Sequence, residues 1–168
     1  MSAKIMFKVG DRVVYPSHGV GEIVAEEVQV VGGNQFNVFV ILFMKEKMML
    51  RIPINRAINV GLRPLSDSGE VSKMFSILRG KTKLKKAGMW SRRAQEYELK
   101  INSGQLSSIA EVVRDLYRSV DSERSYSERM IYESALNRLA NEFAAVEEID
   151  PKLAMEKLMD ALQEKEAA

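Results

Sequence analysis

The chain has 168 residues, 46% of them apolar and 29% charged, with a formal net charge of +2, which is the composition of a globular protein with one domain or two small ones. Its longest apolar run, from Val38 to Met44, is far short of the roughly 20 residues of a membrane-spanning helix, and residues 1–8 lack the apolar segment of a secretion signal. The absence of cysteine excludes disulfides and thiolate nucleophiles and fits a reducing compartment, so we expect a cytoplasmic protein with no membrane contact.

The first 65 residues show the two-residue alternation and the glycine turns of short β-strands. A Pro-Ser-His-Gly turn at residues 16–19 separates two of these strands, and Gly32 and Gly33 separate two others. Several short strands joined in this way favour a small β-barrel. We predict strands at residues 13–15, 20–25 and 28–31, a long strand ending at Met44, and a strand from Met48 to Pro53.

The strand from Met48 to Pro53 has two different faces. One face carries Met48, Leu50 and Ile52, and the other carries Met49, Arg51 and Pro53. If the first face packs in the core, the second is displayed to solvent. Methionine and arginine are enriched at protein interfaces, but an exposed strand without any partner shows the same pattern.

Beyond Pro64 the apolar period changes from two to 3.6, which predicts about five helices. The first has a cap at Asp67 with Glu70 and a stripe of Val71, Met74, Phe75 and Leu78. The second runs from about Ser91 to Gly104, the third starts at Ser108 with Glu111 in a capping box, the fourth starts at Ser125 with Glu128 in the same relation, and the fifth starts at Asp150 and Pro151. Strands followed by helices indicate an α+β chain, with one domain over residues 1–65 and an all-α domain over residues 66–168.

Positive charge is concentrated in the middle of the chain. Residues 79–100 hold eight basic residues and two acidic ones, whereas residues 142–168 hold eight acidic residues and three lysines. A basic centre with an acidic tail indicates a localised surface for a polyanion, so nucleic acid is the first partner to test. The lysines that we expect to contact phosphates there are Lys83, Lys85, Lys86 and Lys100.

Trp90 is the only tryptophan of the chain, and two interpretations of it remain open. In a continuous helix it would share the apolar stripe of Ala94, Tyr97 and Ile101 and belong to the core. If Ser91 is instead the N-cap, Trp90 lies just outside the helix and is available to stack on an unpaired base. Arg92 and Arg93 are predicted to point away from that stripe, at a helix end whose backbone N–H groups also favour phosphate.

Catalysis and metal binding are not expected. His18 is the only histidine, it lies in a turn, and the chain has neither a phosphate-binding loop nor a dinucleotide fingerprint. The usual catalytic triads and metal clusters therefore have too few bases or ligands. We predict a protein that is not an enzyme and that needs no cofactor.

Several of these segments, in the same order, closely resemble the CarD/CdnL family of bacterial transcription regulators. The resemblance extends from about Phe7 to Leu162. It is carried by Phe7 to Gly19 with Gly21, by Arg51-Ile52-Pro53, by Trp90-Ser91-Arg92-Arg93 and by Ala110 to Arg118. The N-terminal part is also similar to the RNA polymerase interaction domain of the transcription-repair coupling factor, a large helicase whose motor motifs this chain lacks.

The resemblance implies a Tudor-like barrel that binds the β subunit of RNA polymerase and a helical domain that contacts promoter DNA. The DNA contact is implied on the minor-groove side at the upstream edge of the melted region. Trp90 matches the family's tryptophan wedge, and Arg92 and Arg93 match its basic patch. The implied polymerase surface comprises Arg51, Met49 and Pro53, with Gln29 and Val31 on the neighbouring strand. Gln29 stands where some relatives have arginine, and Gln95 where some have lysine.

Other partners are consistent with the same sequence. Small barrels and lysine clusters also suit RNA or the ribosome, and a role restricted to protein partners is a third possibility. We expect a monomer. The final residues Ala167 and Ala168 resemble the tag read by the ClpXP protease, which predicts regulated turnover.

Overall fold

The computed structural model describes residues 7–81, 90–117 and 125–167, with side chains described through residue 164. The chain folds into two compact units, Met1–Leu65 and Ser66–Ala168. Each unit has a hydrophobic core of its own. The predicted fold class is confirmed: a Tudor-like antiparallel β unit precedes an all-helical one in an α+β chain.

The first unit is a five-stranded antiparallel sheet with the strand order β4-β3-β2-β1-β5. The strands are β1 (Arg12–Tyr15), β2 (Gly19–Val31), β3 (Asn34–Phe43), β4 (Met48–Pro53) and β5 (Arg63–Pro64), and a short 3-10 helix spans Ile54–Arg56. The separate strands predicted at residues 20–25 and 28–31 are one continuous strand, β2. Glu26 and Glu27, which have low strand propensity, keep their pairing with β3, and only a bulge between Ile23 and Ala25 interrupts the register.

One face of this sheet forms the core of the first unit. The most deeply buried residues of that core are Val13, Ile23, Ile41, Phe43 and Ala57. Gly21 lies where no side chain fits, because a Cβ there would be 2.7 Å from Ile41 Cγ2. At the β2–β3 turn, Gly32 and Gly33 have φ of 58° and 80°, the left-handed conformation that a two-residue hairpin turn requires.

The second unit consists, in its described residues, of five helices. They are α1 (Ser68–Arg79), α2 (Trp90–Asn102), α3 (Leu106–Leu116), α4 (Tyr126–Glu147) and α5 (Pro151–Ala167). The predicted stripe of α1 packs into the core through buried Val71, Met74 and Leu78, with Phe75 partly buried beside them. Among the residues described, no helix is both long and apolar enough to cross a lipid bilayer.

Local capping signals predicted the right start for α1 and α4 and the wrong start for α3. Asp67 and Glu70 form the predicted reciprocal capping box, and the Ser125 hydroxyl accepts a hydrogen bond from the backbone N–H of Glu128 at 3.2 Å. The start predicted at Ser108 is wrong, because α3 already begins at Leu106, after Gln105 as N-cap. Buried Leu106 extends the apolar face of the helix by one turn, and this burial outweighs the missing cap bond.

Two polar contacts lie inside the helical unit. Glu142 on α4 is 3% exposed and accepts hydrogen bonds from the backbone N–H and the hydroxyl of Ser66, just before α1. Arg114 and Asp115 on α3 form an ion pair of 2.9 Å, with side chains only 10% and 6% exposed. Buried charges need such partners, and the contact of Glu142 with Ser66, which joins α4 to the residue before the cap of α1, favours a single packing of these two helices.

Candidate functional site

Trp90 is the first residue of α2, and its side chain packs against the helical core while remaining partly exposed. The alternative that places Trp90 outside the helix is therefore wrong. The indole shares the stripe of Tyr97 and Ile101, both of which are buried. Because Trp90 occupies the end of that stripe, it is neither a fully enclosed core residue nor a freely solvated side chain.

Two neighbours hold the indole from different directions. Its Nε1–H donates a hydrogen bond to the hydroxyl of Ser127, in the first turn of α4, at 3.2 Å. Its ring lies 6.2 Å from the ring of Tyr97, centroid to centroid, with the planes tilted by 48°. The indole therefore links the beginning of α2 to the beginning of α4.

Arg93 provides a third contact with the indole. Its guanidinium carbon lies 5.5 Å from the centroid of the Trp90 ring and 5.8 Å from that of Tyr97, and its Nη2 donates to the Tyr97 hydroxyl at 3.3 Å. The prediction that Arg93 points away from the aromatic stripe is wrong. A cation over an aromatic face is attracted to it, and this attraction turns the long side chain back along the helix.

Arg92 points away from the apolar stripe, as predicted, and its phosphate contact stays a prediction. Its side chain is exposed, and within the described part of the chain it forms no ion pair or hydrogen bond. It lies in the first turn of α2, where the helix dipole adds partial positive charge. Arg92 is thus available to an anion, whereas Arg93 is engaged with the two rings.

The predicted lysines divide into two groups. Lys83, Lys85 and Lys86 lie outside the described residues. Lys100 is 40% exposed, but its Nζ pairs with Glu111 Oε2 on α3 at 2.9 Å. Glu111 therefore serves a contact between helices rather than the capping box predicted for it. A phosphate near Lys100 would have to compete with this carboxylate.

Sequence reasoning missed the role of Ser127. Periodicity identifies neighbours along one helix, and Ser127 reaches Trp90 from 37 positions further along the chain. The adjacent Tyr126 is 76% exposed, which makes the first turn of α4 an unusually open aromatic position. No local signal in the sequence indicates either contact.

The second candidate surface lies on the first unit, on the sheet face opposite the core. The predicted alternation of β4 is present, with Met49 55% exposed and Arg51 exposed, while Ile52 is buried. The cross-strand register places Gln29 and Val31 on the same face as Arg51. They are not on a neighbouring strand, however, because β3 lies between β2 and β4. The expectation placed Gln29 and Val31 on the strand next to Arg51. It was wrong because β2, β3 and β4 are joined by hairpin turns and therefore lie in that order across the sheet.

An ion pair crosses β3 on this outer face. Arg51 Nε lies 3.5 Å from Glu27 Oε2, and both side chains are about half exposed, at 47% and 40%. The register places Val38 and Val40 between these two strands, and each is only 2% exposed although neither belongs to the main core cluster. The outer face therefore has a buried apolar floor beneath a charged surface.

Elsewhere the described residues offer little chemistry. His18 stacks on Tyr15 with ring centroids 5.5 Å apart, and its Nδ1 lies 3.1 Å from Glu46 Oε2. This agrees with a structural turn residue. In residues 7–81, 90–117 and 125–167, no group of three or more histidine, cysteine, aspartate or glutamate side chains could hold a metal ion.

These features define a two-unit α+β protein that displays Arg51 on a sheet face and arginine and aromatic side chains at the starts of two helices. Residues 7–66 match the CarD-like/TRCF RID domain, and residues 73–160 match the CarD C-terminal domain. The chain therefore belongs to the CarD family of transcription factors, as the resemblance predicted.

Two relatives show the extent of this similarity. The chain is 29% identical over 149 residues to a Bacillus subtilis (strain 168) protein named "Putative transcription factor YdeB", over 88% of this chain and 96% of that protein. The chain is also similar to the solution NMR structure of the 72-residue N-terminal domain of Myxococcus xanthus CarD. The match is 30% identical, covers 38% of this chain and 84% of that chain, and has a TM-score of 0.31.

Proposed function

We propose that the protein binds the β subunit of RNA polymerase through its sheet unit and stabilises the open promoter complex through its helical unit. The observation that carries the proposal is the indole of Trp90, partly exposed at a helix start and accompanied by Arg92 and Arg93. A protein with this role works in the cytoplasm, on the nucleoid, and needs no catalytic group. Membership of the CarD family supports the proposal.

The mechanism depends on where the indole is bound. At the upstream fork an unstacked base step offers a ring face, and closing the bubble requires the indole to leave it. Stacking on a base is worth about 1–3 kcal/mol, which changes the ratio of open to closed complexes by about fivefold to more than a hundredfold. Arg92 contributes a phosphate contact, so the binding reads distortion rather than sequence.

Anchoring to polymerase explains how weak DNA contacts suffice. The displayed residues Met49, Arg51 and Pro53 provide the mixed apolar and cationic surface that protein interfaces favour, with Gln29 and Val31 further along the same face. Once the sheet unit is bound, the helical unit is held near the DNA at a high effective concentration.

The proposal predicts that Trp90→Ala shortens the open-complex lifetime by about tenfold, because the stacking energy is lost. The measurement is the dissociation rate of promoter complexes after addition of a competitor, with and without the protein. Leu99→Ala is the matched control, since Leu99 is an apolar residue of the same helix that is 71% exposed. If only the control variant shortens the open-complex lifetime, or if neither variant does, the proposed stacking of Trp90 on a base is wrong.

A small barrel acting on RNA or the ribosome is the competing function, and co-purification separates the two. The proposal expects polymerase subunits with the tagged protein, whereas ribosomal proteins in their place would support the alternative.

A further inference from the structure

The proposed wedge is fixed by a residue on another helix, in a contact that the function above does not use. The Ser127 hydroxyl accepts the only hydrogen bond that the indole can donate, at 3.2 Å from Nε1. Ser127 is itself exposed, in the first turn of α4, so it is not required as a core residue. We propose that Ser127 is a positioning residue that holds the Trp90 ring in the orientation in which it meets DNA. This inference rests on the proposed function.

The geometry explains how one hydroxyl can set the orientation of a large ring. Rotation of the indole about its χ2 bond by half a turn would carry Nε1 away from Ser127, so the hydrogen bond selects one of the two flipped orientations. The ring contacts of Arg93 and Tyr97, at 5.5 and 6.2 Å, limit the remaining freedom but do not distinguish the indole's edges. Ser127 therefore supplies the one directional contact among these three neighbours.

Fixing the ring before binding affects how tightly it binds. A free side chain must lose rotational freedom when it stacks on a base, whereas a ring that is already oriented has lost it in the unbound protein. Ser127 lies on a long helix with a capped start, which is a more precise support than a loop. Removing the hydroxyl should therefore weaken, and not strengthen, the binding of the indole to DNA.

The test compares Ser127→Ala with Ser127→Thr and Ser134→Ala in the full-length protein. Threonine keeps the hydroxyl, and Ser134 is an exposed serine two turns further along the same helix. Because Trp90 is the sole tryptophan, intrinsic fluorescence reports on this ring alone. We expect Ser127→Ala to make the indole more accessible to acrylamide quenching and to shorten the open-complex lifetime about two- to tenfold, the equivalent of one hydrogen bond.

The controls separate positioning from a general structural role. Ser127→Thr and Ser134→Ala should keep both the wild-type quenching and a lifetime within about twofold of wild type. In the Trp90→Ala background, Ser127→Ala should have no further effect on lifetime, because the residue acts only through the indole. Binding to polymerase should be equal for all of these variants.

Each other outcome contradicts the inference in a recognisable way. A wild-type lifetime for Ser127→Ala, beside a short one for Trp90→Ala, would overturn the positioning role and leave the proposed function intact. A longer lifetime would also overturn it, since the hydroxyl would then restrain the indole. A wild-type lifetime for Trp90→Ala would overturn the proposed function, and the role of Ser127 with it.

Discussion

Two adjacent arginines at the start of α2 have different surroundings, and this difference matters more than their shared charge. Arg92 is exposed and without a partner among the described residues, whereas Arg93 lies over the rings of Trp90 and Tyr97 and donates to the Tyr97 hydroxyl. The planar guanidinium can stack on a ring and bond at its edge together, which a lysine ammonium cannot do. Arg93 therefore supports the indole, and Arg92 is left as the residue that the proposed function assigns to phosphate.

This difference predicts unequal responses to the same conservative substitution. Arg93→Lys keeps the charge but loses the stacked geometry, and should shorten the open-complex lifetime about two- to fivefold, the value of an exposed cation–π contact. Arg92→Lys keeps the charge that the proposed phosphate contact requires, so its lifetime should stay within about twofold of wild type. The two variants should be compared at one fixed salt concentration, because phosphate contacts are salt-dependent. Wild-type lifetimes for both variants would show that both arginines act through charge alone, and equal losses would show that both depend on the guanidinium geometry, so either result would contradict this division of roles.

For single helices, the sequence predicted the start correctly where that start depends only on residues within one turn. The capping box of Asp67 and Glu70 and the N-cap Ser125 need only neighbours within one turn, so the starts of α1 and α4 follow directly. Ser108 and Glu111 carry the same pattern, but Glu111 pairs with Lys100 of α2 instead. That pairing depends on the packing of two helices, which no local pattern contains.

The candidate site was predicted to the same extent. Its residue types and the displayed face of β4 follow from period and alternation. The contacts of Trp90 with Ser127, and of Arg51 with Glu27, join distant segments and appear only in the folded chain. The sequence therefore identified the residues to test, and the structure shows which side chains contact them.

The Arg51 and Glu27 pair allows a sharp test of the outer sheet face. Arg51→Glu should weaken binding to an isolated polymerase β fragment about 30-fold or more, because a charge of the wrong sign is placed in the interface. Reversing both charges, with Glu27→Arg added, recreates the pair across β3. The stability of the unit should change by less than about 1 kcal/mol in either variant, because the pair is solvent-exposed.

The double reversal decides what Arg51 does. If Arg51 contacts polymerase directly, restoring the internal pair should leave the affinity as low as in Arg51→Glu. Fluorescence anisotropy of a labelled β fragment measures this directly. Recovery of wild-type affinity would mean that the ion pair shapes the sheet and that the polymerase contact lies elsewhere on the protein.

At the scale of the whole molecule, each of the two units contains its own core. Val13, Ile23 and Phe43 belong to the sheet core, while Leu116, Leu139 and Leu158 belong to the helical core. The change of apolar period beyond Pro64 marked this division in the sequence because each period reflects a different way of burying side chains. Separate cores allow a covalent link between the units to be cut without unfolding either of them.

Cutting that link tests whether tethering, rather than either surface alone, produces the proposed stabilisation of the open complex. Fragments 1–65 and 66–168 split none of the contacts named above between them, since Ser66 and Glu142 both fall in the second fragment. Linked sites of this kind have effective concentrations in the millimolar range, so an equimolar mixture at micromolar concentration should lengthen the open-complex lifetime by less than about a tenth of the intact chain's effect. Circular dichroism would confirm that both fragments are folded, and raising the concentration of fragment 66–168 should restore the effect gradually. A mixture as potent as the intact chain would show that the helical unit finds the fork without the sheet unit, and the anchoring mechanism would then be wrong.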